Sequence, residues 1–138
     1  SAAGVPTGVF AAPLIPAVNY PDLEGILERG REAGALYANY TLVRLPHEVK
    51  DLFREWLELH FPQRAAHVMN LIRDMRGGRD NDPRFGARMR GEGAIAKLIQ
   101  ARFELARKRL GYLHRDEIEL DCSHFRPPRA ESAQGELF

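Results

Sequence analysis

A cluster of arginines among glycines is the part of this sequence whose residue types best fit a chemical role. From Arg73 to Arg90 there are six arginines and three aspartates, which gives the segment a local formal charge of +3. Guanidinium groups donate paired hydrogen bonds to phosphate, and exposed N–H groups of a glycine-rich loop add further donors. We therefore predict a phosphate or nucleic-acid site with Arg84, Arg88 and Arg90 as contacts. The alternative is a structural loop held by arginine–carboxylate pairs, because Phe85 is the one aromatic residue available for base stacking in this segment.

Metal chemistry does not fit the sequence. Asp80-Asn81-Asp82 is spaced like the start of a calcium loop, but an arginine stands at position 84 and no glutamate closes the loop. Cys122 and His124 are too few ligands for zinc, which takes four. We predict no metal site and no catalytic residue within the chain.

Two predicted strands present polar residues at their carboxyl ends. The apolar run 9–16 predicts a buried strand, a helix follows between Asp22 and Gly34, and residues 36–44 predict a second strand. Strand, helix and strand over this length make a right-handed parallel βαβ unit. Active sites of α/β barrels lie at the carboxyl ends of the strands, which makes Asn19 and Arg44 candidate ligand contacts. The alternative is that Asn19 is a turn residue and Arg44 a surface salt-bridge donor.

Helices dominate the rest of the chain. An apolar stripe from Val49 to Leu57, which includes Phe53 and Trp56, predicts a helix whose stripe is part of the core. Further helices are predicted over 65–75 and 94–110, separated by a long loop, 77–93, that contains five glycines. The expected segments are therefore 1–61 with the strands, 62–112 as a helical extension, and 113–138 as an extended tail.

Two parallel strands make an incomplete sheet. Sheets of this kind normally contain several strands and are covered on both faces. We expect the strands to be the last part of a larger α/β protein, with one edge or face of the first strand left apolar and exposed.

Composition limits the remaining possibilities. The net charge of +1 gives no global signal for nucleic acid or membrane. The single cysteine excludes an intrachain disulfide and favours a reducing cytoplasm. No apolar run approaches the ~20 residues that span a bilayer, so no membrane association is expected.

The last five residues, Gln134-Gly135-Glu136-Leu137-Phe138, form a pattern of their own. They resemble the short peptide that bacterial DNA-maintenance proteins insert into the sliding clamp. Leu137 and Phe138 would gain about 1.5–3 kcal/mol each from burial in a partner's pocket, and Gln134 would fix the register. The alternative is an end of the chain without a partner.

Longer stretches carry a second resemblance. Residues 71–78 and 84–93, together with 9–16 and 44–53, resemble the C-terminal region of a radical SAM family, the DNA repair photolyase-like group related to spore photoproduct lyase. The resemblance implies the end of a partial (β/α)6 barrel, followed by C-terminal helices, in an enzyme that uses S-adenosylmethionine and a [4Fe–4S] cluster. It also implies that the last strands hold the adenosine of the cofactor, with Pro13, Ile15, Asn19 and Arg44 as the contacts.

One departure from the family limits what this chain can do. The family holds its cluster with three cysteines in an earlier part of the barrel, whereas Cys122 is the one cysteine here. We therefore expect a C-terminal fragment of a DNA-repair-associated radical SAM enzyme, tethered to the sliding clamp and unable to bind the cluster alone. The competing hypothesis is a noncatalytic module that binds the clamp or nucleic acid.

Overall fold

A computed structural model describes residues 5–117 and 123–127 of the chain. The terminal residues Gln134, Leu137 and Phe138, and also Cys122, lie outside this part. In chain order the elements are β1 (Gly8–Leu14), α1 (Leu23–Glu32), β2 (Tyr37–Leu42), α2 (Val49–His60), α3 (Ala65–Asp74), α4 (Ala87–Arg90) and α5 (Gly93–Arg109), with short 3-10 turns at Tyr20–Asp22 and Arg115–Glu117. The described part is therefore α/β, with five helices and one sheet.

The two strands pair in parallel, which confirms the predicted βαβ unit. Val9 lies opposite Ala38 and Ala11 opposite Tyr40, and the register shifts between Ala11 and Leu14. The apolar composition of 9–15 and the β-branched and aromatic residues of 36–44 favour extended backbone. The helix between them supplies the crossover that parallel strands require.

One face of the sheet forms the core of the molecule. Side chains alternate along a strand, so Val9 and Ala11 share a face with Ala38 and Tyr40. Helix α1 packs on this face so closely that a Cβ at Gly30 would lie 3.0 Å from the Cβ of Val9. Helix α5 also packs here, with the ring of Phe103 4.8 Å from that of Tyr40, measured between centroids. A single buried cluster therefore joins the segments 1–61 and 62–112.

The opposite face of the sheet is largely uncovered by the described residues. Phe10 and Ala12 of β1 point to this face, and Phe10 remains 59% exposed. Asn39, the neighbour of Phe10 in the register, is exposed as well. The expectation of an apolar, exposed face on the first strand is thus confirmed for the part of the chain that the structure describes.

The apolar stripe of α2 is the clearest difference from the sequence prediction. Leu57 is fully buried, but Leu52 is 62% exposed and Val49, Trp56 and Leu59 are exposed too. Phe53 packs against the core, as predicted, so the prediction that this stripe is core is wrong for Val49, Leu52 and Trp56. The physical reason is that α2 packs against α3 along the edge that carries Leu57, so that much of its apolar surface faces away from the described core.

Candidate functional site

Asn19 organises the carboxyl end of β1. Its Oδ1 accepts a hydrogen bond from the backbone N–H of Ile15 at 2.7 Å, and its Nδ2 donates to the carbonyl of Pro13 at 3.0 Å. Three of the predicted cofactor contacts, Pro13, Ile15 and Asn19, are thereby brought together. Because the amide of Asn19 bonds through both its oxygen and its nitrogen to backbone groups, its geometry is that of a turn residue.

Arg44 lies beside this turn, at the carboxyl end of β2. The backbone N–H of Val43 donates to the carbonyl of Leu14 at 2.9 Å, which holds the two strand ends side by side. Arg44 forms no ion pair with any described carboxylate. Its Nε is instead buried and has no hydrogen-bond partner among the described residues. A buried donor left unpaired costs about 1–3 kcal/mol, which makes Nε of Arg44 a candidate contact for an acceptor that the described residues do not supply. Nε of Arg76 is unpaired in the same way.

A second arginine at this edge, Arg76, is fully buried and was not predicted from the sequence. Its Nη2 donates to the carbonyl of Val43 at 2.8 Å. Its Nη1 donates to the carbonyls of Ala87 and Arg88 at 2.8 and 2.9 Å. Burial lowers the pKa of Arg76 below its ordinary value, the nearby charge of Arg44 lowers it further, and Asp82 opposes both effects. Arg76 therefore fastens the glycine-rich loop to the end of β2.

Carboxylates fix the remaining parts of the loop. Asp80 accepts hydrogen bonds from Arg54 of α2 at 2.6 Å and from Arg73 of α3 at 2.8 Å. These two ion pairs hold the beginning of the loop against both helices. Because all three groups are partly exposed, each pair contributes at most about 1 kcal/mol, and the main effect is positional.

Arg84 is occupied by an internal partner. Its guanidinium donates to both oxygens of Asp82 at 2.6 to 3.0 Å, and it also approaches Glu92 at 3.3 Å. Hydrogen bonds from Arg84 lower the pKa of the Asp82 carboxyl to about 2, and the same contacts raise the pKa of Arg84. This geometry supports the structural alternative for Arg84, since its bonds to Asp82 compete with any phosphate.

The other two predicted phosphate ligands have no carboxylate partner within the described residues. The guanidinium of Arg88 lies 5.2 Å from the ring centroid of Phe85, which is 90% exposed. Arg90 lies 4.3 Å from the ring centroid of Tyr40, and its Nη2 donates to Oδ1 of Asn39 at 2.9 Å. The two side chains therefore have different surroundings. Arg90 contacts Asn39 and Tyr40 of β2, whereas Arg88 contacts the exposed ring of Phe85.

An open groove lies at the other end of the strands from Asn19 and Arg44. Its volume is about 470 Å³, and its walls come from the amino-terminal halves of both strands, from α5, and from the segment after α5. Its lining includes two aromatic, one amide and three charged side chains, which are Phe10, Phe103, Asn39, Arg90, Glu104 and Arg107. Arg107 and Glu104 pair with each other at 3.0 Å. No local sequence pattern predicts this groove, because its walls are far apart along the chain.

Residues 5–117 and 123–127 contain no group of three or more histidine, cysteine, aspartate or glutamate side chains arranged to hold a metal ion. Within the same ranges no helix has the length and apolar character needed to cross a bilayer. The clamp-peptide prediction for Gln134, Leu137 and Phe138 falls outside these ranges. Comparison of the chain with protein-family models, curated proteins and solved structures gave no match.

Proposed function

We propose that this chain contributes the last two βα units of a radical SAM barrel to a longer enzyme. The observation that carries the proposal is the uncovered face of the parallel sheet, where Phe10 is exposed beside Ala12. Parallel sheets occur almost only with both faces covered, and two strands alone are marginally stable. In a barrel this face would turn inward, and neighbouring strands would bury it.

The cofactor assignment follows from the donor groups at the strand ends. The described residues do not fit an iron–sulfur cluster, since they offer no thiolate, and Cys122 lies outside them. S-adenosylmethionine, when bound, supplies a source of hydrogen-abstracting radicals. Arg44 fits as a contact for it, because its buried Nε lacks a partner. Asn19 would act indirectly, by holding the turn 15–19 that forms the adjacent wall.

The same proposal includes the partners of the enzyme and its location in the cell. The terminal Gln134, Leu137 and Phe138 would tether it to the sliding clamp, and the uncompensated Arg88 would lie near DNA. A cytoplasmic location agrees with a cluster-dependent enzyme. In this proposal the chain is the part of a DNA-associated radical SAM enzyme that does not bind the cluster.

A second candidate function is a noncatalytic module that binds nucleic acid and the clamp. The observation that favours it is the exposed Phe85 ring beside Arg88 on a well-anchored loop. This module would need no further strands. The two candidates differ in what they require of the uncovered sheet face, and that difference is measurable.

The experiment compares Phe10→Ala in the isolated chain and in a longer protein that contains this chain. In the isolated chain Phe10 is exposed, so the free energy of unfolding should change by less than about 0.5 kcal/mol. In the complete barrel the ring would be buried, and the same substitution should cost about 3–5 kcal/mol. Phe103→Ala, which removes a buried ring in both proteins, is the control. An equally small effect of Phe10→Ala in both proteins would contradict the barrel proposal and favour the module.

A further inference from the structure

We propose that Phe85 and Arg88 form a stacking platform for an unpaired base of single-stranded nucleic acid. The inference deepens the DNA association in the proposed function, since it names the ligand and the two side chains that bind it. Arg84, Arg88 and Arg90 were predicted to act together as phosphate ligands, whereas the structure separates them. The platform uses Arg88 and an aromatic residue.

The first observation is the exposure of the Phe85 ring. It is 90% exposed, the highest value among the large apolar side chains that the structure describes. Its contact with Arg88 leaves the ring open to a second planar group. Aromatic rings stack on nucleobases with little sequence preference, because each base has a π-face.

The second observation is that the backbone around Phe85 is fixed. On one side, the backbone N–H of Arg84 donates to Oδ1 of Asp82 at 3.0 Å, and the Arg84 side chain closes on the same carboxylate. On the other side, the carbonyls of Ala87 and Arg88 accept hydrogen bonds from the buried Arg76. The ring therefore stands in solvent on an anchored loop, and binding a base would order little backbone.

Gly86 sets the direction of the chain after the ring. Its φ is 91°, in the region that favours glycine, and no heavy atom lies within 4 Å of the position that its Cβ would occupy. The chain turns at this residue into α4, whose first turn contains Arg88. The turn thus places a guanidinium beside the ring that precedes it.

The third observation is the distribution of charge. Arg79, Arg88 and Arg90 have no carboxylate partner in residues 5–117 and 123–127, while Asp80 and Asp82 are occupied by Arg54, Arg73 and Arg84. The loop therefore presents net positive charge next to an open aromatic ring. A ligand that combines planar rings with negative charge on a flexible backbone fits this surface. Single strands satisfy that description, whereas the bases of a duplex are stacked inside the helix and cannot reach the ring.

The test measures fluorescence anisotropy of labelled oligonucleotides of about 12 residues, a length within the range that single-strand sites cover. Oligo-dT, oligo-U and a DNA duplex are titrated with the full chain at about 50 mM salt and again at about 200 mM. We expect binding of single strands that Phe85→Ala weakens about tenfold or more, and that Phe85→Trp retains. The DNA and RNA arms decide which single strand is preferred.

Two matched controls separate the platform from general surface effects. Phe125 is 71% exposed, so Phe125→Ala removes a similar ring elsewhere and should leave affinity unchanged. Arg88→Gln should weaken binding and reduce the salt slope by about one. Arg29→Gln, which removes an exposed charge on α1, should have a smaller effect. Circular dichroism of each variant checks that the fold is retained.

Three results would overturn the inference. The first is that Phe85→Ala binds single strands as tightly as the wild-type chain. The second is that Phe85→Ala and Phe125→Ala lose the same amount of affinity. The third is that no single strand binds at about 100 μM protein, far above the Kd range expected of a specific site. Vesicles with anionic headgroups are included because an exposed ring among arginines also fits a lipid surface. Phe85-dependent binding to vesicles without binding to oligonucleotides would assign the surface to lipid. The binding assay uses neither the cofactor nor a longer protein, so a negative result does not contradict the barrel proposal. Likewise, failure of the barrel proposal does not contradict binding of single strands by Phe85 and Arg88.

Discussion

Replacing Arg76 tests whether a buried arginine holds the loop to the sheet. Arg76→Ala removes the donors to the carbonyls of Val43, Ala87 and Arg88. Leaving a buried acceptor unpaired costs about 1–3 kcal/mol. The carbonyl of Ala87 still accepts a hydrogen bond from the backbone N–H of Gly91 at 2.8 Å, so the cost is counted for the carbonyls of Val43 and Arg88. Taking the lower value for each of these two, because water can reach them after truncation, gives a loss of about 2 kcal/mol. Arg76→Lys keeps the charge but not the planar fork, and should lose an intermediate amount.

Urea denaturation followed by circular dichroism measures the loss as a shift of the midpoint at constant slope. Arg79→Ala is the matched control, because Arg79 lies three residues further along the chain and is exposed without an ion-pair partner in the described residues. It should change stability by less than about 0.5 kcal/mol. If Arg76→Ala and Arg79→Ala have the same small effect, the three hydrogen bonds do not anchor the loop. The anchored-loop argument for Phe85 would then fail as well.

Three further predictions follow from the packing, the titration of the loop and the terminal peptide. A Cβ at Gly30 would lie 2.9 Å from Oη of Tyr112, so Gly30→Ala should destabilise the folded chain by about 1–3 kcal/mol. A Cβ at Gly25 would have no atom within 4 Å, so Gly25→Ala should stabilise the fold by about 0.5–1 kcal/mol. Thermal unfolding measures both changes. Arg84 holds the pKa of Asp82 at about 2, below its ordinary 3.8, so the stability it confers is present above about pH 4 and is lost as the pH falls toward 2. Asp82→Asn should therefore flatten the pH dependence of the unfolding free energy in that window. The full chain should bind a bacterial sliding clamp with roughly micromolar affinity, and Leu137→Ala with Phe138→Ala should remove most of this binding.

Each of these predictions has a contrary outcome. Equal stability changes for the two glycine variants would show that α1 does not approach β1 as closely as the structure has it. An unchanged acid slope in Asp82→Asn would mean that Asp82 titrates alike in the folded and unfolded chain. Equal clamp binding by wild type and the double variant would leave the end of the chain without a partner.

The elements were predictable from local patterns, but their surroundings were not. Apolar runs and 3.6-residue periodicity are properties of neighbouring residues, and they correctly gave both strands, the parallel pairing and the main helices. The stripe of α2 shows the limit of this approach. Periodicity identifies which side of α2 is apolar, but the packing of α2 on α3 decides that Leu57 is buried and Leu52 is not.

The candidate site shows the same limit for polar residues. Nothing local distinguishes Arg76 from the other arginines between 73 and 90, because its burial depends on the carbonyl of Val43, 33 residues earlier in the chain. Arg84 and Arg88 look equivalent in sequence, yet Asp82 engages one and Phe85 the other. Which arginine is free for a ligand is thus a tertiary property.

The most direct test of the central claim is anaerobic reconstitution with iron and sulfide. Under the proposed function, a longer protein that contains this chain should develop the visible absorption of a [4Fe–4S] cluster and should convert S-adenosylmethionine to 5′-deoxyadenosine under reducing conditions. The present chain alone should do neither, because Cys122 is its one cysteine and such clusters need several thiolates. A stoichiometric cluster on this chain alone, or a longer protein without a cluster, would contradict the assignment to a radical SAM barrel.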